Sequence, residues 1–168
     1  AQTETVDAAD MVVVNTCTIR EKAEQKAFSA LGRLAKMKLA NPSLIIAVGG
    51  CVAQQEGEAI MKRMPHVDLV FGTQAIGRLP AMIAKIEQTR GRVVDVATSE
   101  RLAPEEYITQ SLDQVPVSAF VTIMRGCDNY CTYCVVPYVR GHEASRSPQE
   151  IVAEIAGLTA KGAREVTL

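Results

Sequence analysis

Over the first hundred residues, short apolar runs alternate with longer stretches of helical spacing. Met11–Asn15 predicts a buried strand. Thr18-Ile19-Arg20-Glu21 fits a capping box, in which a hydroxyl and a carboxylate satisfy the free amides of a helix start. Ile19, Ala23, Ala27, Ala30, Leu31 and Leu34 follow at helical spacing, and Asn41-Pro42 stops the run. Leu44–Val48 predicts a second strand, ending at Gly49-Gly50. A helix starts near Gln54 and ends before Pro65, and Asp68–Phe71 forms a short strand. Ile76, Leu79, Ile83 and Ile86 mark a further helix, and Arg92–Val96 a further strand. Strands separated by helices predict an α/β domain with a parallel sheet covered on both faces.

The pattern lapses from Ala97 to Pro116, where prolines and the acidic Glu100, Glu105, Glu106 and Asp113 suggest a connector. A strand over Val117–Met124 opens a second unit, followed by a long loop. Ser147-Pro148-Gln149-Glu150 then starts a helix, with Ser147 as cap, Pro148 in the first turn and Glu150 closing the box. Val152, Ile155, Ala156 and Leu158 are expected on its buried face, and Gly162 at its stop. Arg164–Leu168 begins another strand, so this part reads as strand–helix–strand. The expected division is a domain over residues 1–97, a linker over 98–116 and a second domain beginning at 117–168.

Composition narrows the class. Hydrophobic residues make up 48% and charged residues 22%, as in globular proteins. No apolar run approaches the roughly 20 residues that cross a bilayer. No basic-then-apolar leader opens the chain, so a cytoplasmic location and no membrane partner are expected. The net charge of −1 carries no overall nucleic-acid footprint. Arg20, Lys22, Lys26, Arg33, Lys36 and Lys38 nevertheless gather in one stretch, which reads as a solvated helix face or a phosphate-facing surface.

Five cysteines need a chemical reason, and an odd count suits a disulfide framework poorly. In a reducing compartment, clustered thiols bind metal or do chemistry. Cys127, Cys131 and Cys134 lie within eight residues, and can meet one small object only if the loop wraps round it. A 4Fe–4S cube has four iron corners and usually four cysteine ligands. Three cysteines leave one iron open, which suits catalysis: that iron can chelate the amino and carboxylate groups of S-adenosylmethionine. Structural zinc prefers four ligands, and the nearby fourth candidate is His142. Cys17 and Cys51 each come just after an apolar strand. A parallel sheet would place both at the carboxyl edge where ligands bind. Gly49-Gly50 would let the backbone approach a bulky cofactor. Tyr130 and Tyr133 read as packing, Arg125, Arg140 and Arg146 as solvated surface, and His66 and His142 have no assigned partner.

Asn15-Thr16-Cys17, Gly49-Gly50-Cys51, Arg125-Gly126-Cys127 with its CxxxCxxC spacing, and Val136-Pro137-Tyr138-Val139-Arg140-Gly141 resemble the radical-SAM methylthiotransferases. The resemblance covers essentially the whole chain. It implies an N-terminal parallel-sheet α/β domain, incomplete at its start, followed by the first βαβ of a radical-SAM partial TIM-type barrel. It also implies two 4Fe–4S clusters. Cys127, Cys131 and Cys134 would hold the one that binds S-adenosylmethionine, and Cys17 and Cys51 two of the three ligands of an auxiliary one. The family's first auxiliary cysteine would lie upstream of Ala1. Its S-adenosylmethionine-binding segment and RNA-binding domain would lie beyond Leu168, so these 168 residues are expected to be inactive alone.

The activity implied is methylthiolation of C2 of an isopentenylated adenosine beside the anticodon of a tRNA. In the family, one S-adenosylmethionine donates a methyl group to a sulfur at the auxiliary cluster. A second is cleaved to the radical that removes the C2 hydrogen. The implied partners are a tRNA anticodon stem-loop and an electron donor of flavodoxin or ferredoxin type, with the chain a monomer. Two alternatives stand beside this reading: a sibling methylthiotransferase acting on threonylcarbamoyladenosine or a ribosomal protein, and an iron–sulfur electron-transfer protein.

Overall fold

Four apolar runs pair side by side in a computed structural model of the chain, which describes residues 3, 5–18, 21–98 and 116–168. They are β1 (Met11–Thr16), β2 (Ile45–Gly50), β3 (Leu69–Phe71) and β4 (Val93–Asp95), parallel and ordered β1-β2-β3-β4. Parallel neighbours need crossovers, which the helices supply. These are α1 (Glu21–Ala40), then α2 (Cys51–Glu56) and α3 (Glu58–Arg63), and finally α4 (Leu79–Thr89). Among the described residues no helix is long and apolar enough to cross a membrane.

Side chains alternate across the central strands, and both faces are covered. Ile46, Val48 and Val70 point to one side, against Leu31 and Leu34 of α1, Val52 of α2 and Ile60 of α3. Ile45, Ala47, Leu69 and Phe71 point to the other, against Met82 and Ile86 of α4. Full burial of such side chains contributes about 1.5–3 kcal/mol each.

Several expectations are corrected. Among the described residues the Met11–Asn15 run is the outer strand of the sheet, with Val12 and Val14 packed inward and Val13 46% exposed. The helix placed near Gln54 starts at Cys51 and breaks at Gly57, whose φ of 46° lies in the left-handed region. The expected capping box falls on Ile19, Arg20 and the Glu21 side chain, which lie outside the described residues. Lys38 is not on a solvated face. Its Nζ donates to both carboxylate oxygens of Asp68 (2.9 and 2.8 Å) and to Leu44 O (2.6 Å), and Asp68 also accepts from the Ile46 amide. His66 Nε2 meets Leu31 O at 2.8 Å. Asp95, at the carboxyl end of β4, is clasped by the Arg78 guanidinium at 2.7 and 2.8 Å. That pairing holds its carboxyl below the ordinary aspartate range.

The chain divides into two compact units, Ala1–Thr98 and Ser99–Leu168. Of the connector expected between them, residues 99–115 lie outside the described ones. In the second unit, β5 (Ser118–Phe120) pairs in parallel with β8 (Glu165–Thr167), and α6 (Pro148–Ala160) joins them. Ala119, Val121, Leu158 and Ala163 form the core with Ile151, Ile155 and Val166. Ser147 caps α6 as expected, its Oγ accepting from the Glu150 amide at 3.3 Å. The buried face differs in part: Ile155 and Leu158 face inward as expected and Ile151 joins them, while Ala156 is exposed and Val152 is 65% exposed. The single strand expected over Val117–Met124 is two. After β5 the chain bends, and β6 (Met124–Arg125) pairs antiparallel with β7 (Ala144–Ser145).

Candidate functional site

Two cysteine-bearing regions stand out, one in each unit. In the first, the register pairs Asn15 with Gly49 and Thr16 with Gly50. Cys17 and Cys51 are the residues that follow the two strands, so both lie at the carboxyl edge of the sheet. Cys17 is exposed and Cys51 is buried.

The turn that carries Cys51 is built tightly. Gly50 holds φ +95°, and a Cβ there would come within 2.3 Å of Thr16 O and 2.6 Å of Asn15 Oδ1. A Cβ on Gly49 would meet the Phe71 ring at 2.3 Å. The glycines therefore serve close packing against β1 and Phe71, a reason nearer than the approach of a cofactor. Thr16, itself buried, bridges the two strands: its Oγ1 donates to Gly49 O at 2.6 Å and accepts from the Ala53 amide at 3.3 Å.

Sequence reasoning assigned no role to Thr16 or to Gln54, whose side chain also ties this edge together. Gln54 Nε2 donates to Val96 O at 2.7 Å, and its Oε1 accepts from the Thr73 amide at 3.1 Å. The available signal was position alone, each lying within three residues of a cysteine. Replacing Thr16 by valine keeps the shape and removes both bonds. The expected loss is about 1–3 kcal/mol of unfolding free energy, read by denaturant titration.

In the second unit the cysteine loop leaves β6 and returns at β7. It is not an open loop, since it contains the short helix α5 (Val136–Arg140), with Pro137 and Val139 buried. Gly126 holds φ +73°, and a Cβ there would lie 2.0 Å from His142 O. The Cys127 amide donates to Gly141 O at 3.2 Å, closing the base of the loop. His142, without a partner in the sequence reading, meets Asp128 Oδ1 through Nδ1 at 2.7 Å, and the Glu143 amide donates to Asp128 Oδ2 at 3.3 Å. Tyr130, at φ +46°, packs edge-on to Tyr138 with centroids 5.9 Å apart. Tyr133 is 91% exposed and does not pack.

Cys127 and Cys134 are half-buried and Cys131 is exposed. Asn129 Nδ2 donates to Cys127 Sγ at 3.4 Å, and the Cys134 amide to Cys131 O at 2.9 Å. Among the described residues no three His, Cys, Asp or Glu side chains converge as ligands of a single metal ion. A cube places each thiolate on its own iron corner, so its ligands stand further apart than those of one ion. Three thiols on one loop pinned at its base are the kind of donor such a cluster takes. Arg146, read as surface, is buried: its guanidinium pairs with Glu154 at 2.5 Å and donates to Thr122 O at 2.8 Å.

Residues 1–72 match the uncharacterized protein family UPF0004, and residues 121–168 the radical SAM superfamily. The chain is 53% identical over 162 residues to the tRNA-2-methylthio-N(6)-dimethylallyladenosine synthase of Desulfosudis oleivorans, covering 96% of the chain and 35% of that protein. The enzymes of the same name from Paraburkholderia phytofirmans (52% over 167 residues) and Janthinobacterium sp. (49% over 173) each match 99% of the chain. Those matches take up 36% and 37% of the two enzymes, so the chain spans about a third of the length of these curated relatives.

Proposed function

We propose that this chain, which belongs to the radical-SAM methylthiotransferases, carries the cluster-holding parts of an enzyme that methylthiolates C2 of N(6)-isopentenyladenosine next to the anticodon of tRNA. The observation that carries the reading is identity of about half over 96–99% of the chain to enzymes named for that product. The same names favour isopentenyladenosine over threonylcarbamoyladenosine or a ribosomal protein as the target. Residues 1–97 form the methylthiotransferase N-terminal domain, 98–116 a linker, and 117–168 the start of the radical-SAM core.

Cys127, Cys131 and Cys134 hold one 4Fe–4S cluster, and Cys17 and Cys51 contribute two thiolates to a second. When bound, the first supplies an open iron and an electron for cleaving S-adenosylmethionine, and the second is the place of the transferred sulfur. The chain's own residues position these thiols. Gly126 and the Asp128–His142 pair close the loop at its base, and the Asn129 amide donates toward Cys127 Sγ. Thr16 and Gly50 fix the turn that presents Cys51. The tRNA anticodon stem-loop is the macromolecular substrate, a flavodoxin- or ferredoxin-type protein the electron donor, and a cytoplasmic monomer the working form.

The test is nucleoside mass spectrometry of tRNA from a strain that lacks this activity, complemented with the full-length protein. Appearance of the methylthio derivative of isopentenyladenosine is expected. Methylthiolation of threonylcarbamoyladenosine instead, with isopentenyladenosine unchanged, would assign the protein to the sibling activity.

A further inference from the structure

The outer face of α1 carries an arrangement that neither cysteine region uses. Lys22, Lys26, Arg33 and Lys36 are all exposed and fall at i, i+4, i+11 and i+14. At about 100° per residue they lie within about 40° of one line along the helix, with Ser29 in the vacant i+7 place. At about 1.5 Å per residue the stripe is about 21 Å long. Among the described residues none of the four has an ion pair or a side-chain hydrogen bond. Lys38, in the helix's last turn, is turned inward onto Asp68, which leaves the stripe a single track. Arg63 of α3 flanks it, its guanidinium 4.2 Å over the ring of Phe28 on α1.

Placement gives the stripe a direction. α1 follows β1 and returns the chain to the start of the parallel β2, so it runs against the strands. Its first cation, Lys22, therefore lies at the carboxyl edge that carries Cys17 and Cys51, and its last, Lys36, toward the far edge. On a chain of net charge −1 this is a local concentration of positive charge leading away from that edge.

We infer that the Lys22–Lys26–Arg33–Lys36 stripe holds the phosphate backbone of the substrate RNA and guides the strand to the cysteine edge. The inference rests on the tRNA reading above and adds the surface. Spaced cations without base-reading groups suit phosphates, which fix register and carry no sequence information. The residues interleaved with the cations are Gln25, Ser29 and Gly32, small or polar. A docking site for an acidic protein would need a desolvated apolar centre, and this face has none.

The experiment uses the full-length protein with its clusters and an isopentenylated anticodon stem-loop RNA, comparing K22Q/K26Q/R33Q/K36Q with wild type. Each lost phosphate contact flattens the slope of log affinity against log salt by about 0.7–0.9. The quadruple variant should therefore lose roughly 3 from that slope. The charge-keeping K22R/K26R/K36R should retain the wild-type slope, and K85Q/K161Q, exposed elsewhere, should leave it unchanged. Iron content and RNA-independent cleavage of S-adenosylmethionine should match wild type in all variants, showing that the fold is intact. An unchanged slope in the quadruple variant, with wild type binding normally, overturns the inference alone. Unchanged RNA binding with slowed reduction by the flavodoxin overturns it too and gives the stripe to the electron donor. Wild type that neither binds nor modifies the RNA overturns the tRNA reading itself.

Discussion

Cys131→Ala in the full-length protein is expected to abolish cleavage of S-adenosylmethionine and to lower the iron content by about four atoms per chain. Each thiolate gives a cluster both a bond and a compensating negative charge, so loss of one of only three leaves it labile. Cys131 is exposed and its side chain packs against nothing in the core, so the change should move stability by no more than about 0.5 kcal/mol. That separates loss of the cluster from loss of the fold. Cys17→Ala, equally exposed, should behave differently. Cleavage of S-adenosylmethionine should persist, while the methylthio product disappears. Iron analysis, absorption spectra and product analysis on the two variants read out both halves. Full iron content and cleavage in the Cys131 variant would remove the loop from the chemistry. A single bound zinc without visible absorption would convert it to a structural site.

The second large effect lies in the backbone. Gly50→Ala places a Cβ 2.3 Å from the carbonyl oxygen of Thr16, a main-chain atom of the neighbouring strand that cannot swing aside. It also forces an L-residue to φ +95°. Positive-φ strain and overpacking each cost of order 1–3 kcal/mol, so a loss of about 3 kcal/mol or more is expected. The control is Gly32→Ala, where an added Cβ meets nothing within 4 Å and the residue sits inside α1. There the helical entropy cost of glycine is relieved, and stability should rise by about 0.5–1 kcal/mol. Opposite signs from the same chemical change, measured by denaturant titration, would show that the edge turn is built around a missing side chain. A Gly50 variant as stable as wild type would mean that the turn relaxes and that the glycine answers to another demand.

Much of this was legible in the chain because the signals are local. The unbroken apolar run Leu44–Val48 marks a strand buried on both faces, and β2 is one. Ser147, Pro148 and Glu150 announce the start of α6, and the capping bond is there at 3.3 Å. The positions of Cys17 and Cys51 just beyond two parallel strands follow from the order of strands and helices alone.

The tertiary structure decided whatever depends on which distant segments meet. Lys38 reads as one more surface lysine until β3 brings Asp68 to it across 30 residues. Arg146 is buried because Glu154 and the carbonyl of Thr122 reach it from two elements and offset the cost of removing its charge from water. His142 finds Asp128 only when the β6–β7 pairing closes the loop. Helical and strand periodicity are properties of neighbours along the chain and survive in the one-dimensional record. Burial and pairing belong to contacts between elements, whose partners the chain specifies only by folding.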